Sequence, residues 1–185
     1  MGDFSEVSSF VNSRLFQQYC TSFFGFQNCA LYDKNIDKLY TAWRKAVRRL
    51  WKLPYRAHSN LLPHVSQMLP LDVILEKRYM NFMSTGMNHS NGIVNFIFNY
   101  GVRHISRIDQ NVRYICKKYD IKVSDLFSGK LFNTHIIGKY NESVSEEDKR
   151  VGAQVRELAM ERDSFDKTVL SKQEVCDIIE FLVTS

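Results

Sequence analysis

The sequence predicts an all-α protein: a helical bundle with an irregular proline-containing connector and an acidic helical tail. Three observations predict it. Apolar residues recur at spacings of three and four along most of the chain instead of alternating. All three prolines, Pro54, Pro63 and Pro70, fall in one short stretch. Two Ser-x-x-Glu capping signals, Ser143 with Glu146 and Ser171 with Glu174, open runs in the last quarter. With 185 residues, 44% hydrophobic and 13% aromatic, the chain can bury a core of ordinary domain size.

The first helix is expected over about residues 8–24, with Phe10, Val11, Leu15, Phe16, Tyr19 and Phe23 on one face and a break at Gly25. A second begins near Asp33, a residue suited to an N-cap. It carries Ile36, Leu39, Tyr40, Trp43, Val47, Leu50 and Trp51 on one stripe. It must end near Leu53, because Pro54 lacks the N–H that the ladder needs and pushes its predecessor out of the helical region. The connector "PYRAHSNLLPHVSQMLPL" follows, with one or two short turns. Pro70 suits the first turn of a third helix, in which Leu71, Ile74, Leu75, Arg78, Tyr79 and Phe82 recur at helical spacing. "NHSNG" breaks the pattern. Further helices are expected at about 93–100 and 105–119, then a turn capped by Ser124, a hinge around "IIGKYNES", and the tail helices.

Charge divides the chain. Residues 1–60 hold nine Lys or Arg against four Asp or Glu, residues 61–140 ten against five, and residues 141–185 six against eleven. The expected organisation is a basic helical domain over 1–140 and an acidic helical tail over 141–185. A positive surplus of this kind suits a polyanionic partner.

Several functions find no support. Cys20, Cys29, Cys116 and Cys176 are too scattered for the paired spacing of a zinc site, and read as free thiols of a reducing compartment. No His-rich metal box, P-loop or nucleophile–base set is present in the sequence. No apolar run approaches the roughly 18–20 residues of a membrane span, and the N-terminus lacks a secretory signal pattern. An intracellular protein is expected, with nucleus and cytoplasm undistinguished.

The strongest local signal is the stretch from Leu39 to His64, with six Lys and Arg residues and no carboxylate. A merely solvated face usually mixes signs to gain i,i+4 pairs. Here Trp43 and Trp51 belong to the core stripe, while Arg44, Lys45, Arg48, Arg49, Lys52 and Arg56, with His58 as a weaker candidate, are placed to contact successive phosphates of a nucleic acid. A basic amphipathic helix can also lie on a membrane, but burial of its apolar stripe within the domain explains that stripe more simply.

Two strings in this region carry a resemblance. "YCTSFFG" at residues 19–25 and "WRKAVRRLWKLPYRAHSNLL" at residues 43–62 are similar to the segment that follows the palm in non-LTR (LINE-type, jockey-like) retrotransposon reverse transcriptases. The resemblance covers about Leu15 to Met83 and, more weakly, the region through "NVRYICKKYDI". Where members of that family carry a Trp after the glycine, this chain has Leu31 or Tyr32.

The resemblance implies a helical thumb that grips a template–primer duplex, RNA–DNA hybrid or duplex DNA, without reading its sequence. Complete polymerases of the family use Mg held by paired aspartates, and this chain has no Asp-Asp dipeptide. The implied protein is therefore a thumb-like fragment of an RNA-directed DNA polymerase, inactive alone and with no cofactor of its own. A separate polymerase palm or a second copy are further partners to consider. The alternative expectation is a helical protein-interaction or self-association module with no nucleic-acid role.

Overall fold

A computed structural model describes residues 8–20, 25–128 and 132–164. Among these residues there are eight α-helices and no strand. The helices are α1 (Ser9–Cys20), α2 (Ile36–Leu50), α3 (Leu62–Ser66), α4 (Leu71–Met87), α5 (Gly92–Arg103), α6 (Arg107–Tyr119), α7 (Asn133–Ser143) and α8 (Glu146–Ser164), with short 3-10 turns at Phe26–Asn28, Ser59–Leu61 and Val123–Ser128. The capping pair Ser171 and Glu174, and Cys176, lie outside the described residues. The described chain forms two compact units: one from residues 8–20, 40–70 and 144–164, the other from residues 25–39, 71–128 and 132–143.

In the first unit, α2 buries Trp43, Val47 and Trp51, one residue per turn on the expected stripe. Leu62 and Val65 of α3 and Val155 and Ala159 of α8 are buried with them. The helix stops as the proline predicts, but the stop itself is made two residues earlier. Lys52 takes the left-handed conformation at φ 51°, its N–H reaches Arg49 O at 3.1 Å, and the Leu53 N–H reaches back to Arg48 O at 2.8 Å. These are the paired bonds of a Schellman cap, made without glycine.

Helix α8, expected as a solvated acidic tail, packs against α3, the Ser59–Leu61 turn and α1. Gly152 permits the approach to α3: a Cβ there would collide with His64 Cβ. The cap of α8 is Ser145, whose Oγ accepts from the Asp148 N–H at 3.0 Å. The expected cap Ser143 instead ends α7, donating its hydroxyl to Tyr140 O at 2.6 Å. Both serines fit the local pattern, and the helix starts at the second because α7 runs on through the first.

That continuation is itself a correction. The hinge expected around "IIGKYNES" is the body of α7, where Ile136 is fully buried and Phe132 is buried just before the first turn. Burial of these two side chains outweighs the roughly 1 kcal/mol that Gly138 costs a helix.

The second unit is organised by α4, which packs with α5, α6, α7 and the Val123–Ser128 turn and is buried on most of its circumference. Phe82 lies on its exposed side, not in the expected stripe, with its ring edge-on to Phe98 at 5.0 Å between centroids. The segment before α2 is anchored by Asn111, whose carboxamide accepts from Leu31 N–H and donates to Cys29 O, both at 2.9 Å.

One buried charge stands at the α4–α6 contact. Glu76 is fully buried, receives Lys118 Nζ at 2.9 and 3.0 Å, and accepts from the Tyr119 hydroxyl at 2.6 Å. Asp72 shares the same ammonium at 3.2 Å. Burial pushes the Glu76 carboxyl above the usual carboxylate range, against the pull of Lys118 and Tyr119.

Candidate nucleic-acid interface

All seven candidate residues lie in the first unit, on the last two turns of α2 and the connector that follows. With Trp43, Val47 and Trp51 committed inward, positions 45, 49 and 52 are turned to solvent by the helical period. The structure separates the cations into three kinds.

Lys45, Arg49 and Arg56 are exposed, and among the described residues no carboxylate lies within ion-pair distance of them. Arg44 is half-buried and donates to Thr41 Oγ1 at 3.3 Å, one turn back on its own helix. His58 is exposed in the connector. Tyr55 is exposed between them. Its ring is open to contact with sugars or bases.

Lys52 is exposed but partly neutralised, with its Nζ 3.8 Å from Asp163 Oδ1. Asp163 is a junction: its carboxylate accepts from Ser9 N–H at 2.7 Å and from Arg162 at 3.2 Å. Burial alone would raise its pKa, but the Ser9 hydrogen bonds and the Arg162 charge together hold it below the ordinary value. No periodicity in the sequence brings an acid 111 positions away to Lys52; only the packing of α8 does.

Arg48 is turned inward. Its Nε and Nη2 both donate to Ala57 O, at 3.1 and 2.8 Å, and Nη2 also reaches Ser59 Oγ at 3.1 Å. Burial, and then the nearby Arg44 charge, lower its pKa from the usual arginine value. The forked guanidinium thus fastens the connector to α2 and fixes where Tyr55, Arg56 and His58 emerge.

Other titratable groups serve packing. Cys116 is buried, free and pushed up to about 11 by burial, then by the nearby Asp125, which makes it a poor nucleophile. Cys20 and Cys29 are free and exposed. His64 is held below its ordinary value by burial at the α3–α8 contact. Among the described residues no group of three or more His, Cys, Asp or Glu comes together as a metal site. No helix of the described residues is long and apolar enough to cross a membrane.

Comparison of the chain with protein-family models, with curated proteins and with solved structures finds no match.

Proposed function

We propose that the first unit binds nucleic acid through phosphate contacts made by Lys45, Arg49 and Arg56, with Arg44, Lys52 and His58 at the margin and Arg48 holding the geometry. The observation that carries this reading is the set of exposed, uncompensated cations on one side of a helix whose other side is anchored by two buried tryptophans. A rigid helix presenting cations at fixed spacing meets successive phosphates without ordering cost at the moment of contact. The similarity to a reverse-transcriptase thumb supports a duplex, and specifically a template–primer duplex, as the ligand class. Such contacts position a nucleic acid and are indifferent to its sequence.

The test is equilibrium binding of the purified chain to a labelled RNA–DNA hybrid and to duplex DNA across a salt series. The wild type is compared with Lys45→Glu/Arg49→Glu and with Arg56→Ala. Each phosphate contact contributes about 0.9 to the log–log salt slope, so the double variant should flatten it by about two units and Arg56→Ala by about one. A slope unaltered by all three substitutions, or no binding at low salt, refutes the proposal.

A further inference from the structure

In the second unit, α5 packs on α4 and α6 with one side, and the described residues leave its other side uncovered. That outer side carries Ile93, Phe96, Ile97 and Tyr100, which are 73%, 65%, 55% and 52% exposed. Their spacing of three, four and seven puts them on a single stripe. Isolated exposed apolar residues are ordinary on a protein surface, but a contiguous stripe is not. The aromatic members are already ordered against one another: the Phe96 and Tyr100 rings lie 5.8 Å apart, and Tyr100 stacks on His104 at 3.8 Å. The intervening polar residues are turned back onto the unit, with Asn95 and Asn99 both donating to Met87 O.

We propose that this face of α5 is the contact surface between two copies of the chain, paired about a two-fold axis. Two observations select a second copy over other occupants. The first is charge. From Tyr79 to Val102 the sequence has no Asp, Glu, Lys or Arg, so a partner recognised by charge finds nothing to pair with, whereas a second copy meets the stripe with the same uncharged face; the general repulsion between two chains of net charge +5 then weakens the pairing without placing like charges in the contact. The cations at the edge of the stripe are engaged within the unit, Arg103 over the Phe127 ring at 5.6 Å and Arg107 on Asn28 O at 2.9 Å.

The second is area. Ile105, 96% exposed, stands two residues beyond the helix end. At about 200 Å² for a large apolar side chain, the stripe and Ile105 present roughly 700 Å² in one copy and roughly 1,400 Å² in two, in the lower part of the range of stable specific interfaces. An interface of this size and composition gives a reversible dimer, which is why a concentration series can read it. The inference does not rest on nucleic-acid binding, and it is tested without nucleic acid.

The experiment is sedimentation velocity of the full chain through the micromolar range, for wild type, Phe96→Glu and Ile97→Asp, with far-UV circular dichroism on each. Because both positions face solvent, the variants should keep wild-type helicity; Ile93→Asp, at the most exposed position of the stripe, replaces any variant that does not. The expected result is a wild type that shifts from monomer to dimer with concentration and folded variants whose association is weakened at least about tenfold. A wild type that stays monomeric throughout overturns the proposal, as do folded variants that dimerise like wild type. Monomeric wild type that floats with neutral phosphatidylcholine vesicles, where the variants do not, also overturns it and gives the face to lipid.

Discussion

Removing the Lys118 ammonium by Lys118→Met should expose how the second unit holds a buried charge. In the native arrangement Glu76 is fully buried between Lys118 and Tyr119. Breaking a fully buried pair typically costs 3–5 kcal/mol; the Lys118 side chain is 35% exposed, and water screens part of the loss, so a destabilisation of about 2–3 kcal/mol is expected at neutral pH. Folding already raises the Glu76 pKa, so its contribution to stability is fully present below the unfolded carboxyl pKa and is lost as pH rises through the folded one. Without the opposing ammonium that upward shift widens. The variant's deficit should therefore shrink as pH falls from 7.5 towards 5 and a growing share of Glu76 folds protonated.

Urea unfolding followed by far-UV circular dichroism at both pH values measures this. Far-UV circular dichroism reports on the helices of both units, whereas Trp43 and Trp51 both lie in the first unit. The double variant Glu76→Gln/Lys118→Met should recover most of the loss, since a carboxamide oxygen still accepts from the Tyr119 hydroxyl and the one carboxylate left without its ammonium, Asp72, is 36% exposed to water. A deficit below about 1 kcal/mol, or one that is the same at both pH values, would refute the picture of an ionised, buried Glu76.

Two further substitutions probe the first unit. Arg48→Met keeps the aliphatic stem but loses three charge-assisted hydrogen bonds to Ala57 and Ser59, and should cost about 1.5–3 kcal/mol, whereas Arg49→Met on the exposed side should stay within about 0.5 kcal/mol; tryptophan-monitored urea unfolding compares them directly. Gly152→Ala drives a methyl into His64 at the α3–α8 contact and should destabilise by about 1–3 kcal/mol in the same assay, although alanine favours helix at an unconstrained site.

The all-α class and most helix positions were legible because they follow from local rules: the spacing of Trp43, Val47 and Trp51, the prolines of the connector, the break at "NHSNG". The end of the first helix expected before Gly25 lies outside the described residues, which carry α1 to Cys20. The comparisons leave the similarity to a retrotransposon thumb unsupported by any matched family, relative or structure. What the residues did not reveal depends on contacts between distant segments. Nothing in "IIGKYNES" shows that Ile136 will be covered, and a glycine beside polar residues reads as a hinge until it is. Nothing near Lys52 announces Asp163. The α5 stripe was visible as an apolar helix, but whether such a helix faces inward or outward is decided by what α4 and α6 leave uncovered.

Arg48 shows the limit of reading a basic helix by count. Six cations over Arg44 to Arg56 suggest six equivalent phosphate contacts, and the sequence offers no way to rank them. Geometry does. A guanidinium that already donates to Ala57 O and Ser59 Oγ must break those bonds before it can serve a phosphate, and each exchange gains little because one charge-assisted hydrogen bond replaces another. Lys45, Arg49 and Arg56 exchange only water, and the release of counterions from the nucleic acid is then net gain. The contact surface we propose is therefore narrower than the charge run, and its orientation depends on a cation that does not belong to it. Charge reversal at Arg48 would confound lost folding with lost binding, whereas reversal at Lys45 and Arg49 leaves the connector fastened and isolates the electrostatic contribution.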